Sequence, residues 1–454
     1  MNNLLQSLNS NKKVLLIGEI VLDKYIYGNS DRISSEYPIP VFNEIRTEYR
    51  LGGCGNVAKN IKIFGLEVDI LTLMGVEKAD RMVIDLLEKE DINLNIIQIH
   101  DYETTVKSRY VSGNYQSFRT DSCNKFCLNL ELEQYFIRRF IEIADKFKFV
   151  VLSDYNNGLL THNLTQRIIT ECNKRNIVTL VDPKRGDYSK FNNATLIKPN
   201  KSDAEYFCKY KINGQKSIET VCKKICKDLN TKFCIMTLSK DGICICHNNN
   251  FNYVAAQQID VIDVVGAGDT IIATLVFGLI NNWNILDSCI LANECASHII
   301  KSIGTVSPNI LDLIVNHNNV IKNYNELENL SKYIKQYNKK LIFTTGCFDL
   351  IHKGHIESLK KAKEMGDYLF VALNSDNSIK KIKGNCRPIC DLESRICVLQ
   401  SIKYVDFIMV FDEDIPIEIC NVLNPHIITK GSDYTYQQIK NIYPNIKEFR
   451  KTEF

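Results

Sequence analysis

Ile262-Asp263-Val264-Val265-Gly266-Ala267-Gly268-Asp269-Thr270 follows Tyr253–Ile259, which reads as a strand, and opens an apolar segment that reads as a helix from Thr270. Glycines at such a junction let backbone N–H groups converge where the helix dipole already favours an anion. Asp269 then falls in the first helical turn, beside the anion. A carboxylate in that position suits one task, accepting the proton of a hydroxyl as it attacks a phosphoryl group. For a lone Gly-Ala-Gly-Asp, a helix cap is the ordinary explanation. A second glycine cluster ahead of a helix, Leu51-Gly52-Gly53-Cys54-Gly55-Asn56-Val57-Ala58, argues against it.

Working outward, apolar strand patterns recur at Val14–Ile20, Val68–Leu73, Phe149–Ser153, Val178–Asp182, Thr195–Lys198 and Phe233–Leu238. Helical periodicity lies between them, as in Leu130–Phe147 and Leu164–Arg175. Buried strands alternating with helices predict a doubly wound α/β domain with a parallel sheet. Asp31–Phe42 and Thr104–Thr120 instead alternate apolar and polar residues without helices, which predicts a half-exposed antiparallel flap. Between Asn316 and Lys340 the composition turns to Asn, Lys and Tyr, the pattern of a linker. A helix is expected within it from Asn325, where Asn325 and Glu328 have capping-box spacing. The expected division is a first domain over 1–315, a linker over 316–340 and a second α/β domain over 341–454.

The chain has 454 residues, enough for two or three domains. At 45% apolar and 24% charged it is globular rather than disordered. With 56 basic and 53 acidic residues, no bulk charge draws it to nucleic acid or a membrane surface. The longest mostly apolar run, Ile271–Ile280, is too short to span a bilayer, and the first residues carry no secretory pattern. Seventeen cysteines are scattered without any Cys-x-x-Cys, which predicts reduced thiols in a cytoplasmic protein. A structural zinc site drawn from distant cysteines stays open as the lesser alternative.

Together the Gly-Ala-Gly-Asp stretch, the glycine cluster, the early Asp23 and Asn200-Lys201-Ser202-Asp203 resemble the ribokinase-like sugar kinases over roughly the first 310 residues. The resemblance implies that Gly266, Ala267 and Gly268 hold the transferring phosphoryl and that Asp269 is the catalytic base. It assigns Asp23, Gly52, Gly53 and Asn56 to the sugar. Asn200, Lys201, Ser202 and Asp203 are assigned to magnesium and the ATP phosphates, with Asp203 standing where the family usually has Glu. Arg32-Ile33-Ser34-Ser35-Glu36, Val151-Leu152-Ser153-Asp154-Tyr155 and Val181-Asp182-Pro183-Lys184 look like the heptose 7-phosphate kinases. A phosphorylated sugar needs cations at the end away from the reacting hydroxyl. Lys107, Arg109, Arg119 and Lys184 are the candidates, with Asp154 also assigned to the sugar. For each basic residue a solvated surface charge is the plain alternative.

Phe343-Thr344-Thr345-Gly346-Cys347-Phe348-Asp349-Leu350-Ile351-His352-Lys353-Gly354-His355 is the sharpest signal in the chain. It follows a strand and leads into a helix expected near Ile356. Its His-x-Gly-His tetrad sets two imidazoles at a helix N-terminus, with Gly354 leaving room for a phosphate between them. That arrangement stabilises charge growing on an attacked α-phosphate. A zinc reading is weaker, because no Cys or carboxylate lies at a spacing that would complete a tetrahedron. The stretch resembles the HxGH nucleotidyltransferases of the cytidylyl- and heptose-adenylyl-transferring branch. That resemblance implies that His352 and His355 act on the triphosphate. It assigns Thr345, Gly346, Phe348, Asp349, Asp376, Lys383, Arg387 and Arg395 to the nucleotide. Lys430-Gly431-Ser432-Asp433-Tyr434 matches as well. Those transferases normally close with a Ser/Thr-rich turn opening a final helix; the tail from Thr435 is expected to offer none, so the second domain reads as short at its C-terminus.

Both blocks in this order resemble the bifunctional heptose 7-phosphate kinase/heptose 1-phosphate adenylyltransferases of surface-polysaccharide synthesis. The implied fold is a ribokinase-like doubly wound domain with a β flap, followed by a smaller Rossmann-like nucleotidyltransferase domain. The implied cofactors and partners are ATP, Mg²⁺, heptose phosphates and a second copy of the chain, with no nucleic acid or membrane. Two alternatives stay open: a sugar kinase joined to an impaired second domain, and a kinase/cytidylyltransferase for another sugar or polyol phosphate.

Overall fold

In a computed structural model describing residues 4–8, 10–113, 115–123, 126–317, 319–431 and 434–452, the chain forms two compact units. The first runs to Pro308; the second holds residues from Asn309 onward together with the N-terminal helix Leu4–Ser7.

Thirteen strands belong to the described residues of the first unit. They are β1 (Lys13–Gly18), β2 (Ile20–Ile33), β3 (Pro40–Gly53), β4 (Glu67–Met74), β5 (Asn93–Gln98), β6 (Thr105–Ser112), β7 (Tyr115–Ser122), β8 (Phe149–Ser153), β9 (Val178–Asp182), β10 (Leu196–Ile197), β11 (Phe233–Thr237), β12 (Ile243–His247) and β13 (Asn250–Val254). Nine of them make one sheet in the order β13-β12-β11-β10-β9-β8-β1-β4-β5. The sheet is parallel except at its β11-β12-β13 edge. Strands β8 and β9 are apolar runs buried on both faces, which is why they sit at its centre. The helix Leu130–Ala144 covers one face with Phe136, Ile137, Phe140 and Ile143, and Asn129 caps it by accepting the Leu132 N–H.

The flap is a separate four-stranded sheet, β3-β2-β6-β7. It is larger than the alternation at Asp31–Phe42 suggested. Strand β2 starts, and β3 ends, on buried residues beside the glycine cluster, and the far ends of both run exposed rather than alternating. A second difference concerns the stretch before Gly266. The expected strand over Tyr253–Ile259 stops at Val254, and residues 255–265 form no helix or strand. Ile259, Val261 and Ile262 look like strand residues by propensity, yet none is part of a strand: Val261 and Ile262 are exposed and Ile259 is half-buried.

The second unit adds β14 (Val320–Ile321), β15 (Leu341–Gly346), β16 (Tyr368–Asn374), β17 (Phe407–Phe411), β18 (Ile427–Lys430) and β19 (Phe449–Lys451), in the order β14-β17-β16-β15-β18-β19. All five pairings are parallel. The stretch 316–340, expected as a linker, supplies β14 and the helix Tyr324–Gln336. Its polar composition hides an apolar stripe: Leu327, Leu330, Tyr333 and Ile334 are buried. Its cap lies two residues before the expected one: Asn323, rather than Asn325, accepts the N–H of the residue three positions on, Glu326. Thr435 caps a short helix, Tyr436–Ile442, so the tail does open one helix on a threonine. Ser432 and Asp433 lie outside the described residues.

Candidate active sites

In the first unit the helix Ala267–Ile280 starts directly at the glycine loop, with Gly266 left-handed at its N-cap (φ 82°). The Ala267 N–H donates to the Val264 carbonyl at 3.3 Å, and the amides that follow it in the first turn have no partner within the helix, which makes this end of the cleft an anion cradle. A side chain on Gly266 would come within 3.1 Å of the Asn56 amide, so the loop and the helix Cys54–Ile63 can approach only through glycine. Asp269 is buried in the first turn. Asn56 Nδ2 donates to Asp269 Oδ2 at 2.8 Å, and the Tyr155 hydroxyl donates to Oδ1 at 3.0 Å. Burial pushes the Asp269 carboxyl above its ordinary range, and the Lys184 ammonium pulls it back. Lys184 is itself held more basic, chiefly by Asp182.

Asp182, Lys184, Lys198, Asn200, Ala267 and Gly268 line a cleft of about 1030 Å³. Lys198 pairs with Asp182 at 2.8 Å, and its ammonium lies 3.5 Å from where a Gly268 side chain would begin. The cleft thus joins an anion cradle to Lys184, Lys198 and Lys240. At the head of the helix Lys201–Cys208, Asn200 accepts the Asp203 N–H at 2.8 Å and donates to Asp203 Oδ2 at 2.8 Å. Arg185 stands 3.6 Å from Asp203 and donates to the Ser202 hydroxyl. Burial raises the Asp203 carboxyl, against the pull of Lys184 and Arg185. Lys201 and Ser202 are exposed.

Strand register assembles the sugar side. Parallel pairing of β2 with β6 sets Asp23 opposite Lys107 and Tyr25 opposite Arg109. The Arg109 guanidinium reaches the Asp23 carboxylate in a buried ion pair. Burial raises Asp23, while Arg109, Lys107 and Arg119 oppose that rise. A side chain on Gly52 would lie 2.6 Å from Asp23 Oδ2, and Gly53 is left-handed (φ 59°), so the pair is where the chain turns from flap to helix beside Asp23. The Lys107 and Lys184 ammoniums stand 5.3 and 5.2 Å from the Tyr155 ring centre. Arg119 is exposed and paired with Asp121 at 2.8 Å. Asp154 is buried in an ion pair with Lys190 at 2.7 Å.

Sequence reasoning gave no role to Tyr155, Asp182, Lys198 or Glu19, although it quoted the stretches that carry the first two. The first three sit at or just beyond the carboxyl ends of β8, β9 and β10, where ligands of open parallel sheets bind; that position was the available signal. The buried Glu19 carboxylate accepts the Tyr155 N–H at 3.0 Å and the Leu159 N–H at 3.2 Å. Burial, then the Asp154 charge, push it up to about 7.

In the second unit the helix Lys353–Lys363 starts earlier than Ile356, because His352 serves as its cap. His352 Nδ1 accepts the Gly354 N–H at 3.1 Å, and His355 Nδ1 accepts the His352 N–H at 3.4 Å. With both Nδ1 atoms accepting, the neutral rings carry their protons on Nε2, a tautomer assigned from these bonds. The ring centres are 4.0 Å apart. Burial, then His352 and Lys383, lower the His355 pKa below 6.5, so its neutral form prevails at neutral pH.

Around the imidazoles, Phe348 is held in the left-handed region (φ 43°), with its ring packed where a Gly346 side chain would clash at 2.9 Å. Asp349 gathers the 387–390 loop: Arg387 donates to Oδ2 at 2.6 Å, and the Ile389 and Cys390 amides donate to Oδ1 at 2.8 and 3.0 Å. Although burial opposes them, those donors hold the Asp349 carboxyl below its usual range. Arg395, expected on phosphates, is buried at 1% exposure. It donates to the Cys347 and Asn374 carbonyls at 2.8 and 2.7 Å and to Asp376 at 2.6 Å, clamping the ends of β15 and β16. Lys383 is exposed at the end of the helix Asp376–Lys383. Lys430 donates to the Thr345 hydroxyl and carbonyl, and burial lowers its ammonium to about 8. Lys430 belongs to this cluster although the sequence reading gave it no role of its own.

Fold and sites define a sugar kinase joined to a nucleotidyltransferase. The pfkB family carbohydrate kinase model matches residues 11–313, and the cytidylyltransferase-like model matches residues 343–452. Escherichia coli phosphofructokinase-2, solved with substrates and products, aligns over 64% of this chain and 93% of its own with a TM-score of 0.56; at 17% identity it speaks for the fold alone. The "Bifunctional protein HldE" of Campylobacter jejuni (strain RM1221) is 38% identical over 93% of this chain and 90% of its own length. The protein of that name from Helicobacter pylori (strain HPAG1) is 35% identical over 94% and 93%. The chain belongs to this family of bifunctional enzymes, a pfkB-type kinase followed by a cytidylyltransferase-like domain.

Proposed function

We propose that the chain makes ADP-heptose in two steps separated by a dephosphorylation. In the first, Asp269 accepts the proton of the anomeric hydroxyl of D-glycero-β-D-manno-heptose 7-phosphate as that oxygen attacks the γ-phosphorus of ATP, giving the 1,7-bisphosphate and ADP. The first-turn amides at 266–268, with Lys198 and Lys184, stabilise the transferring phosphoryl. Asp23, Gly52, Gly53 and Asn56 hold the sugar, and Lys107, Arg109 and Arg119 take its 7-phosphate. A separate phosphatase removes that phosphate. In the second step the heptose 1-phosphate oxygen attacks the α-phosphorus of another ATP, and pyrophosphate leaves. His352 and His355 stabilise the charge through Nε2–H, with Lys383, Arg387 and Lys430 as further cations and Asp376 bordering the nucleotide.

The observation that carries this reading is the Asp269 carboxylate, fixed between Asn56 and Tyr155 at the mouth of an anion cradle. Magnesium fits the donor set. The Asn200 and Asp203 oxygens are hard ligands, and Mg²⁺ takes one or two protein carboxylates and completes its shell with phosphate and water. Asp203 would hold it, and the bound ion neutralises phosphate charge. A homodimer through the flap is supported by its exposed Ile33, Tyr37, Ile39, Ile45, Tyr115 and Phe118. A cytoplasmic site fits seventeen unpaired thiols, and no helix among the described residues is long and apolar enough to cross a membrane.

Incubating the protein with ATP, Mg²⁺ and heptose 7-phosphate, then adding a phosphatase and fresh ATP, tests the reading by mass. It requires the bisphosphate first and ADP-heptose with pyrophosphate afterwards. A bisphosphate without later pyrophosphate overturns the second step, and no bisphosphate overturns the first.

A further inference from the structure

Five cysteines of the first unit lie on three elements that pack together, the helix Gln215–Asp228, β11 and β12. Cys222 and Cys226 lie one turn apart on the helix Gln215–Asp228 and so share a face. Cys244 and Cys246 share a face of β12, and Cys234 on β11 is the register partner of Cys246. Four of these thiols are buried; Cys226 alone is partly exposed. Its Sγ lies 3.9 Å from Cys246 Sγ. Outside it a cavity of about 660 Å³ is lined by Lys223, Lys224, Lys227 and Lys232.

We propose that Cys226 and Cys246 are a peroxide-oxidised pair that closes a disulfide between the helix and β12. Their sulfurs must approach from 3.9 Å to bonding distance, about 2.05 Å. The lysine-lined cavity favours the thiolate and admits a small oxidant. Contacts from the Cys234 and Cys246 thiols also hold Cys226 below the ordinary thiol range, against the effect of burial. The metal alternative lacks geometry: among the described residues no group of three or more His, Cys, Asp or Glu could hold an ion.

The chemistry closes without further reagents. The Cys226 thiolate attacks one oxygen of hydrogen peroxide and breaks the O–O bond. This gives a sulfenic acid and hydroxide, which takes up the proton the thiol released and leaves as water. The Cys246 sulfur then attacks the sulfenic sulfur, its proton leaves with the displaced hydroxyl, and a second water departs. Two thiols are oxidised by two electrons, and one peroxide is reduced.

The full-length protein, reduced and then treated with stoichiometric hydrogen peroxide, is digested without reductant and its peptides are mapped by mass. The expected product is one linked peptide pair containing Cys226 and Cys246, lighter by two hydrogens and released by dithiothreitol. In Cys226→Ser that pair is absent, and two fewer thiols per chain are lost than in the parent, while kinase turnover before oxidation is unchanged. Should Cys246→Ser fail to fold, Cys226→Ser carries the test, because its side chain is partly exposed. Sulfinic acid at Cys226 without a linked peptide, a bridge from Cys226 to any other cysteine, or equal thiol loss in Cys226→Ser would overturn the proposal.

Discussion

The Tyr155 hydroxyl donates to Asp269 Oδ1 at 3.0 Å, joining two residues 114 positions apart in the chain. Asn56 holds the other carboxylate oxygen, so the base has a fixed orientation before any substrate arrives. Tyr155 in turn hangs from Glu19 through its own N–H. Removing any of the three changes what Asp269 can do, in separable ways.

Asp269→Asn keeps shape and loses the basic oxygen. Kinase turnover is expected to fall by about 10²–10⁴-fold, with the thermal midpoint nearly unchanged. Normal bisphosphate production by this variant would remove Asp269 from the role of base. Tyr155→Phe deletes one donor to a charged acceptor, a loss of about 1.5–3 kcal/mol. Because that donor lowers the Asp269 pKa, the acid limb of the kcat/KM profile should move to higher pH. A profile that keeps its position would show that the hydroxyl does not act on the base.

Gly52→Ala sets a methyl 2.6 Å from Asp23 Oδ2. The carboxylate must swing off Arg109, and such overpacking costs about 1–3 kcal/mol. The KM for heptose 7-phosphate is expected to rise more than the KM for ATP. Equal changes in both would detach Asp23 from the sugar.

Glu19 gives the first unit a pH signature. Its carboxyl is raised from 4.5 to about 7 by burial and by Asp154. Between those values the folded state binds more protons than the unfolded chain, so stability is greatest at the acid side. It declines as pH rises through about 7, by an order of about 3 kcal/mol. Denaturant midpoints measured across that window should fall with pH in the parent and stay flatter in Glu19→Gln. Identical slopes would assign the buried proton elsewhere.

His352→Ala removes one Nε2–H donor and the cap of its helix. Pyrophosphate release should drop about 10²–10³-fold, with the kinase step intact. Since His355 titrates below 6.5, protonation of this ring should alter the release rate only on the acid side. An unchanged rate in His352→Ala would set the pair aside as structural.

Local structure legible in the sequence included the glycine loops, Asp269 at one helix start, and the His-x-Gly-His tetrad at another. Each depends on residues adjacent in the chain and on rules of helix ends and turns. Strand positions at β8, β9 and β11 were legible for the same reason, since apolar runs with both faces buried need no partner to be recognised. Tertiary structure decided what spacing cannot encode. β-pairing chose Lys107 and Arg109 to face Asp23 and Tyr25, because register is a property of two strands at once. Folding brought Tyr155, Lys198 and Glu19 to the Asp269 region from separate strand ends. It also turned Arg395 from an expected phosphate ligand into a buried clamp, because the carbonyls that claim its guanidinium belong to strands that meet only in the folded sheet.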